Sequence, residues 1–448
     1  VPTRGSRDVH AGMTGWGCFM GSKYQAYPEY KESGEEWLGS VPTHWDVIQI
    51  KRLSTVKRGA SPRPIDDSKY FDDEGEYAWT RIADVTASDV YLTQAPQKLS
   101  KLGSSLSVKL EPSSLFLSIA GTVGKPCITG MKACIHDGFV YFPELKIPNK
   151  FLFYVFAGEQ AYKGLGKFGT QLNLNTDTVG GIKIGCADNA ELEKIVRFLD
   201  HETAKIDILI EKQQQLIKLL KEKRQAITSN AITPQLGEKT TKLGHLIDLK
   251  SGYSFQSEQF SQDEEGIRLL RGINVGVGDC RWTETVYWAG VIDHKTLEFS
   301  LEKDDIVLGM DRPWISSGTR VAQIGQEDLP CLLVQRVARI RSRAGQNQSF
   351  IRLVLESNEF RSYLEADMTG VSVPHISPEQ ICGFPMRVLP QSQQYQIATQ
   401  AEQKFLNLDA LMSEANYAID LLQERRTALI SAAVTGKIDV RDWQAPNG

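Results

Sequence analysis

Apolar residues between positions 192 and 236 recur at alternating spacings of three and four, a heptad pattern that predicts one long helix. The predicted apolar stripe consists of Ile206, Leu209, Leu216, Leu220 and Ile227. Neither Gly nor Pro interrupts residues 192–231, and Pro234 and Gly237 end the pattern. At about 1.5 Å per residue the helix would be roughly 60 Å long, so its apolar stripe needs a partner.

A second segment near the C-terminus repeats the pattern. Its stripe includes Leu408, Leu411, Leu422 and Leu429. The two segments align without a gap: Asp207 matches Asp409, and the charged run 222–224 matches 424–426. Any two amphipathic helices share heptad spacing, but here the charged positions match as well. We therefore interpret the segments as an internal duplication whose helices are each other's partner.

The segments that precede each long helix are β-rich. In the first, short apolar runs alternate with turn residues, and one helix is predicted over 150–162. The apolar runs are 47–50, 77–82, 114–119, 127–129, 139–142 and 181–184. The second segment repeats this plan weakly, since Arg81–Val85 resembles Arg271–Val275. We predict an α+β protein with two similar globular domains and a pseudo-two-fold internal repeat.

These patterns divide the chain into six parts. The aromatic-rich stretch from Tyr27 to Trp45 is expected to lie across another surface. We call residues 27–188 the first head and residues 237–390 the second head. The predicted parts are a flexible extension or expression-vector remnant (1–26), the first head, a central spacer helix (189–236), the second head, a C-terminal spacer helix (391–436) and a tail (437–448).

Composition excludes several classes of protein. No run of about 18 apolar residues is present, so no membrane-spanning helix is predicted. The seven Cys contain no Cys-x-x-Cys pair, which favours a reducing cytoplasm and indicates neither a disulfide framework nor a zinc site. The net charge of −4 does not by itself indicate a nucleic-acid binder.

No set of catalytic residues is evident. The chain has no Gly-x-x-x-x-Gly-Lys-[Ser/Thr] loop, and the run Gly121–Lys125 is too short to be one. The carboxylate pairs at 66–67, 72–73 and 304–305 lie in polar stretches, where a solvated face is the simpler interpretation than a metal site. We therefore expect a non-enzymatic chain that binds no metal and no cofactor of its own.

Recognition of DNA is the stronger hypothesis, because Gly-punctuated loops in both heads carry residue types that read base edges and hold phosphates. The candidates in the first head are Arg81, Thr122, Lys125, Lys167, Gln171 and Asn173. Those in the second head are Arg271, Asn274, Arg312, Trp314, Arg320 and His375. Each could instead be an ordinary surface or turn residue. Arg81 and Arg271 occupy matching places, although a structural arginine paired with a carboxylate would explain that too.

Three stretches, Trp37–Trp45, Leu199–Asp207 and Glu424–Asp439, resemble the DNA sequence-specificity subunit of type I restriction–modification systems. The resemblance covers nearly the whole chain from Tyr27. It implies that each head is a target-recognition domain for one half of a bipartite double-stranded DNA site. It also implies that the long helices pack as an antiparallel coiled coil and set the gap between the half-sites.

The same resemblance implies partners. Two methyltransferase subunits would bring S-adenosylmethionine, and restriction subunits would use ATP and Mg²⁺. The near-neutral charge fits if these partners clamp the DNA backbone. A different class of protein, a coiled-coil scaffold whose heads bind proteins, is favoured by the aromatic stretch Trp282–Trp288. An enzyme with a dispersed site is a third alternative.

Overall fold

The computed structural model describes residues 24–162, 174–234, 237–366 and 374–445. Contacts between Cα atoms divide the chain into two compact units. The first unit comprises residues 1–212 and 418–448, and the second comprises residues 213–417. Each unit therefore contains one head and one half of each long helix. The boundaries predicted between heads, spacers and termini stay predictions.

The first unit is a mixed structure of short strands and helices. Its strands are β1 (Tyr30–Glu32), β2 (Ser40–Pro42), β3 (Asp46–Gln49), β4 (Lys57–Arg58), β5 (Tyr77–Thr80), β6 (Tyr91–Leu92), β7 (Lys98–Leu99), β8 (Val108–Leu110), β9 (Leu115–Ser118), β10 (Pro126–Thr129), β11 (Ala133–Ile135), β12 (Phe139–Tyr141) and β13 (Lys183–Cys186). Its helices are α1 (Ile50–Leu53), α2 (Ile82–Ala87), α3 (Lys101–Ser105), α4 (Asn149–Ala157), α5 (Thr176–Gly181) and the start of α6 (Asn189–Ile232).

The second unit has a similar inventory. Its strands are β14 (Thr240–Lys242), β15 (Ile247–Ser251), β16 (Phe260–Ser261), β17 (Ile267–Leu270), β18 (Tyr287–Trp288), β19 (Ile306–Gly309), β20 (Trp314–Ile315), β21 (Gly318–Thr319), β22 (Val321–Gln323), β23 (Cys331–Leu333), β24 (Val337–Ser342) and β25 (Pro385–Arg387). Its helices are α7 (His294–Leu297), α8 (Gln348–Leu355), α9 (Asn358–Glu365), α10 (Pro378–Gly383) and the start of α11 (Gln391–Val434).

The strand order confirms the internal repeat. The first unit contains the order β4-β12-β9-β10-β6, and the second contains β15-β24-β19-β22. The register agrees, because Ser118 pairs with Phe139 at the end of β9 and Gly309 pairs with Val337 at the end of β19. A second sheet in each unit contains one parallel pair, β5 with β11 and β17 with β23. The predicted α+β class with two similar sheet-rich domains is thus confirmed.

Both predicted long helices are present, and each has 44 residues. The carboxylate of Asp188 accepts a hydrogen bond from the backbone N–H of Glu191 (2.9 Å) and caps the start of α6. Helix α11 ends where Gly436 adopts a left-handed backbone (φ 70°), and the N–H of Lys437 donates to the carbonyl of Ala432 (2.8 Å). This is a Schellman ending, which satisfies carbonyls that the helix would otherwise leave free.

The halves of the long helices pack on each other within each unit. In the first unit Ile206 and Leu429 are buried, and Arg426 donates to Asp207 (2.8 Å). Lys194 contacts the carbonyl of Arg441 (2.7 Å), whereas the later residue Asp207 contacts the earlier residue Arg426. Residue numbers therefore rise along one segment as they fall along the other, and the two segments are antiparallel. In the second unit Leu220 and Leu408 are buried together in one core cluster.

The predicted apolar stripe is wrong at three positions. Leu209, Leu216 and Leu411 are 46%, 40% and 46% exposed. Ile206, Leu220, Leu408 and Leu429 are buried as predicted, and Ile227 and Leu422 are partly buried. The inward-facing stripe of α6 runs from buried Ile206 through partly buried Ile210 and Ile217 to buried Leu220, so each intermediate position lies one residue later than predicted. The predicted and the observed positions are both spaced alternately by three and four residues, so spacing does not distinguish them. The surface against which the helix packs decides which set faces inward.

The aromatic N-terminal stretch lies across another surface, as expected, and the structure shows that this surface includes the start of α6. Tyr27 and Trp45 are buried, and Glu191 Oε1 accepts hydrogen bonds from the Tyr27 hydroxyl (2.7 Å) and Trp45 Nε1 (2.8 Å). Nε2 of His44 lies 2.9 Å from the other carboxylate oxygen. Burial and this carboxylate raise the pKa of Tyr27, so the hydroxyl stays a donor. One carboxylate thus ties the segment to the helix.

Candidate nucleic-acid interface

In the second head, loops at the ends of several strands line one cleft of about 960 Å³. Residues 271–275 follow β17, residues 311–320 follow β19, and residues 334–336 precede β24. The cleft contains five arginines and two carboxylates, Glu258 and Asp311. The arginines are Arg271, Arg281, Arg312, Arg320 and Arg336. We call this site the arginine cleft. It concentrates positive charge in a chain whose net charge is −4.

Arg320 is fixed by backbone carbonyl groups. Its Nε donates to the carbonyl of Val275 (2.9 Å), and its Nη1 donates to the carbonyl of Asp311 (2.9 Å). Partial burial lowers the pKa of Arg320, and the neighbouring positive charge of Arg281 adds to this effect. A guanidinium held in this way joins the loop 311–320 to the loop 271–275 and still places its charge beside the cleft.

Arg271 and Asn274 form the turn after β17. The backbone N–H of Arg271 donates to Asn274 Oδ1 (3.1 Å), and Asn274 Nδ2 donates to the carbonyl of Arg281 (2.9 Å). Asn274 is only 1% exposed, so the prediction that it contacts DNA is not supported by its position. Arg271 donates to the carbonyl of Glu284 (2.5 Å) and remains at the cleft wall.

A carboxylate joins two further polar residues at the cleft. Oδ1 of Asp311 lies 2.7 Å from His375 Nδ1 and 3.5 Å from Arg336 Nη1. The backbone N–H of Arg312 donates to the carbonyl of Pro374 (2.8 Å), which holds the loop after β19 against the segment that contains His375. The structure therefore brings Arg271, Arg312, Arg320 and His375 into one region, as their candidate role requires.

Trp314 has a different environment. It lies in the two-stranded β20-β21 sheet, is partly buried, and packs against the core of the second unit. The guanidinium of Arg361 lies 5.5 Å from its ring centroid. Trp314 is not among the residues that line the arginine cleft, so its position favours a packing role.

In the first head, three candidates lie around helix α2. Arg81 precedes the helix, and its backbone N–H donates to Asp84 Oδ2 (2.8 Å), as Arg271 does with Asn274. Thr122 and Lys125 both contact Thr86, at 2.8 Å from its hydroxyl and 2.8 Å from its carbonyl. The guanidinium of Arg81 donates to the side chain of Gln97. Lys167, Gln171 and Asn173 lie outside the described residues.

Several polar residues in these loops were not predicted. In the first head, Asp137 accepts from Ser61 (3.1 Å) and lies 3.5 Å from Arg63, and its carbonyl accepts from Arg58 (2.5 Å). In the second head, Arg281, Asp311 and Arg336 were missed. Arg336 lies just before β24, and its place at the start of a strand is the sequence signal that could have identified it.

The aromatic stretch of the second head is turned inward. Trp288 is 7% exposed, and Trp282 Nε1 donates to Asp328 (2.7 Å) with Arg268 stacked 4.7 Å from the ring centroid. The observation that favoured a protein-binding head therefore has an internal structural explanation.

Neither a metal-binding group nor a membrane span is found within the described ranges. There, no group of three or more His, Cys, Asp or Glu side chains is placed to hold a metal ion. No helix of the same residues is long and apolar enough to cross a bilayer. The buried cysteines are poor nucleophiles, because burial raises their pKa, to about 12 for Cys127.

Comparison with known proteins supports the motif-based resemblance. Residues 42–219 match the family model described as "Type I restriction modification DNA specificity domain". Over residues 42–219 the chain is therefore similar to this specificity family. The match begins at the end of β2 and ends within α6, so it contains the first head from residue 42 onward and residues 189–219 of that helix.

Two relatives and one solved structure extend the comparison. The chain is 34% identical over 163 residues to the EcoAI specificity subunit of Escherichia coli, covering 36% of this chain and 27% of that protein. It is 22% identical over 444 residues to the MjaVIII specificity subunit of Methanocaldococcus jannaschii, covering 92% of this chain and 98% of that protein. A structure described under "complex assembly and conformational transition of the type I R-M system" has a TM-score of 0.62 at 14% identity, covering 88% and 98% of the two chains. This likeness shows the fold.

Proposed function

We propose that this chain is the DNA sequence-recognition subunit of a type I restriction–modification complex, and that each head reads one half of a bipartite site. The arginine cleft carries the proposal. Arginine forks match both guanine edges and phosphate oxygens, and five of them meet here beside only two carboxylates. The equivalent loops of the first head present Arg58, Arg63, Arg81 and Lys125.

The long helices support a second part of the proposal, that their length sets the gap between half-sites. Each is unbroken over 44 residues. Inserting one helical turn, about 5.4 Å, should change the gap by one or two base pairs at about 3.4 Å each. An unchanged gap after such an insertion would contradict this part alone.

Methyltransferase subunits would supply S-adenosylmethionine, and restriction subunits would supply ATP and Mg²⁺ chemistry, whereas this chain contributes recognition. Exposed apolar side chains on the long helices support a docking role for these helices. In the second unit Leu219 and Leu406 are 61% and 65% exposed. In the first unit Ile208 is 51% exposed.

The test is to express the full chain with its methyltransferase subunits and to map methylated bases across the host genome. We expect one two-part motif with a fixed unspecified gap. Gel shifts should show weak DNA binding by the chain alone and tight, sequence-specific binding by the assembled complex. Methylation without a bipartite motif, or a complex that binds proteins but no DNA, would overturn the proposal.

A further inference from the structure

Among the arginines of the arginine cleft, Arg336 contacts two polar side chains, His375 and Asp311. Its Nη1 lies 3.2 Å and 3.4 Å from the two ring nitrogens of His375, so the guanidinium lies against the ring rather than at its edge. The carboxylate of Asp311 lies 3.5 Å from the same nitrogen, and it contacts His375 at 2.7 Å. Even so, the Arg336 side chain is 55% exposed. It is held in place and remains accessible.

The backbone supplies an independent observation. Among the described residues, six other than Gly have positive φ, and two of these are cleft arginines: Arg312 (φ 45°) and Arg336 (φ 68°). The first head has Gly121 (φ 64°) at the position equivalent to Arg312, because Gly121 follows Ser118 by three residues and Arg312 follows Gly309 by three. A side chain in this conformation costs energy that Gly avoids, and such strain concentrates at functional sites.

Among the residues that the structure describes, the other cleft arginines either donate from the guanidinium to backbone carbonyls or have no side-chain partner that orients them. Arg320 and Arg271 donate to backbone carbonyls. A phosphate contact needs only positive charge near the backbone of the DNA, whereas reading a base needs an oriented planar fork. A carboxylate beside an arginine weakens its attraction for phosphate. The Asp311–Arg336 pair therefore suits base reading better than phosphate binding.

We propose that Arg336 reads a guanine from the major groove, and that Asp311, with His375, is the positioning residue that orients it. The second head would then specify a G·C pair at one position of its half-site, since arginine to guanine O6 and N7 is the commonest specific contact. This inference rests on the proposed function and deepens it.

The experiment uses the full chain, assembled with its methyltransferase subunits, and reads the methylated motif genome-wide. R336Q and D311N should both relax the same G·C position, with discrimination there falling about tenfold or more. The other half-site should be unchanged. The double variant should be no more relaxed than R336Q, because the two residues act as one unit. R343Q, which changes an exposed arginine outside the cleft, is the matched control and should leave the motif intact.

R336K provides a second variant that keeps the charge but loses the planar fork, and it should relax the same position. Copurification with the methyltransferase subunits checks that each variant folds. Uniformly weaker methylation with an unchanged motif, or a full guanine preference in R336K, would overturn base reading by Arg336. Relaxation of a different position by D311N would overturn the positioning role. A wild-type chain that gives no bipartite motif would instead contradict the proposed function.

Discussion

Ala120 and Gly138 of the first head occupy the positions that Asp311 and Arg336 occupy in the second. The register establishes this equivalence, because Ser118 pairs with Phe139 and Gly309 pairs with Val337. The equivalent strands β9 and β19 are buried throughout, whereas Ala120 and Arg336 are exposed and Asp311 is half-buried at the cleft. Gly138 is buried, and a side chain there would meet His136. Side chains at the exposed positions can change without repacking a core, so the two heads can keep one framework and read different bases.

The largest effect that separates the two units should come from Glu191. Replacing it with Leu leaves the buried donors of Tyr27 and Trp45 without an acceptor, which should destabilise the first unit by about 2–4 kcal/mol. The alignment of the long helices places exposed Gln393 at the equivalent position, so Q393L is a matched control with an effect within about 0.5 kcal/mol. Urea unfolding of the full chain measures both, and equal losses would show that the carboxylate anchors nothing.

The equivalent arginines Arg81 and Arg271 should differ next. Arg271 is partly buried and donates to the carbonyl of Glu284, so R271A should cost about 1–2 kcal/mol. Arg81 is exposed and contacts only the side chain of Gln97 through its guanidinium in the described structure, so R81A should cost less than about 0.5 kcal/mol. Thermal unfolding of the two variants gives the comparison. A larger loss for R81A would reverse our assignment of the more structural arginine.

A pH effect is expected from His136 of the first head, whose place is taken by Val334 in the second head. Burial lowers the pKa of His136, and Asp137 only partly opposes this. The backbone N–H of Gly138 donates to its Nδ1 (2.8 Å), which requires that nitrogen to be unprotonated. Below pH about 6.5 the unfolded chain therefore binds more protons than the folded chain, and stability falls as the pH falls.

We expect this loss to be below about 1 kcal/mol between pH 7 and 5.5. Urea unfolding at the two pH values measures it in the wild type, in H136N and, as a control for other titrating groups, in H245N. Only H136N should reduce the pH dependence. A pH dependence that survives in H136N unchanged would assign the effect to other groups.

The smallest effects should come from the duplicated ion pairs of the long helices, and they should be nearly equal. Asp207 with Arg426 and Asp409 with Arg224 occupy matching positions, and all four side chains are partly exposed. Double-mutant cycles to Ala should give a coupling of about 0.2–1 kcal/mol in each unit. A large coupling in one unit only would show that the repeat has diverged in its helices as well as in its loops.

Much of the framework followed from the sequence because its signals are local and periodic. Unbroken heptads predicted both long helices, and the matched charges at 207 and 409 predicted the duplication. The similar runs Arg81–Val85 and Arg271–Val275 each contain a side chain, Asp84 or Asn274, that accepts a hydrogen bond from the backbone N–H of the arginine. Because each of these hydrogen bonds joins residues only three positions apart, the residue types that form it are visible as a short sequence pattern.

The tertiary structure decided which residues face outward and which meet. Residue spacing could not select Ile210 over Leu209 for the buried stripe, because both fit a heptad and only the opposing surface differs. It could not bring Asp311, Arg336 and His375 together either, since three separate loops meet only after the strands pair. The sequence determined the helices and strands and their repetition, because these follow from short-range periodicity. The cleft depends on contacts between residues far apart in the sequence, and the pattern of one segment does not predict such contacts.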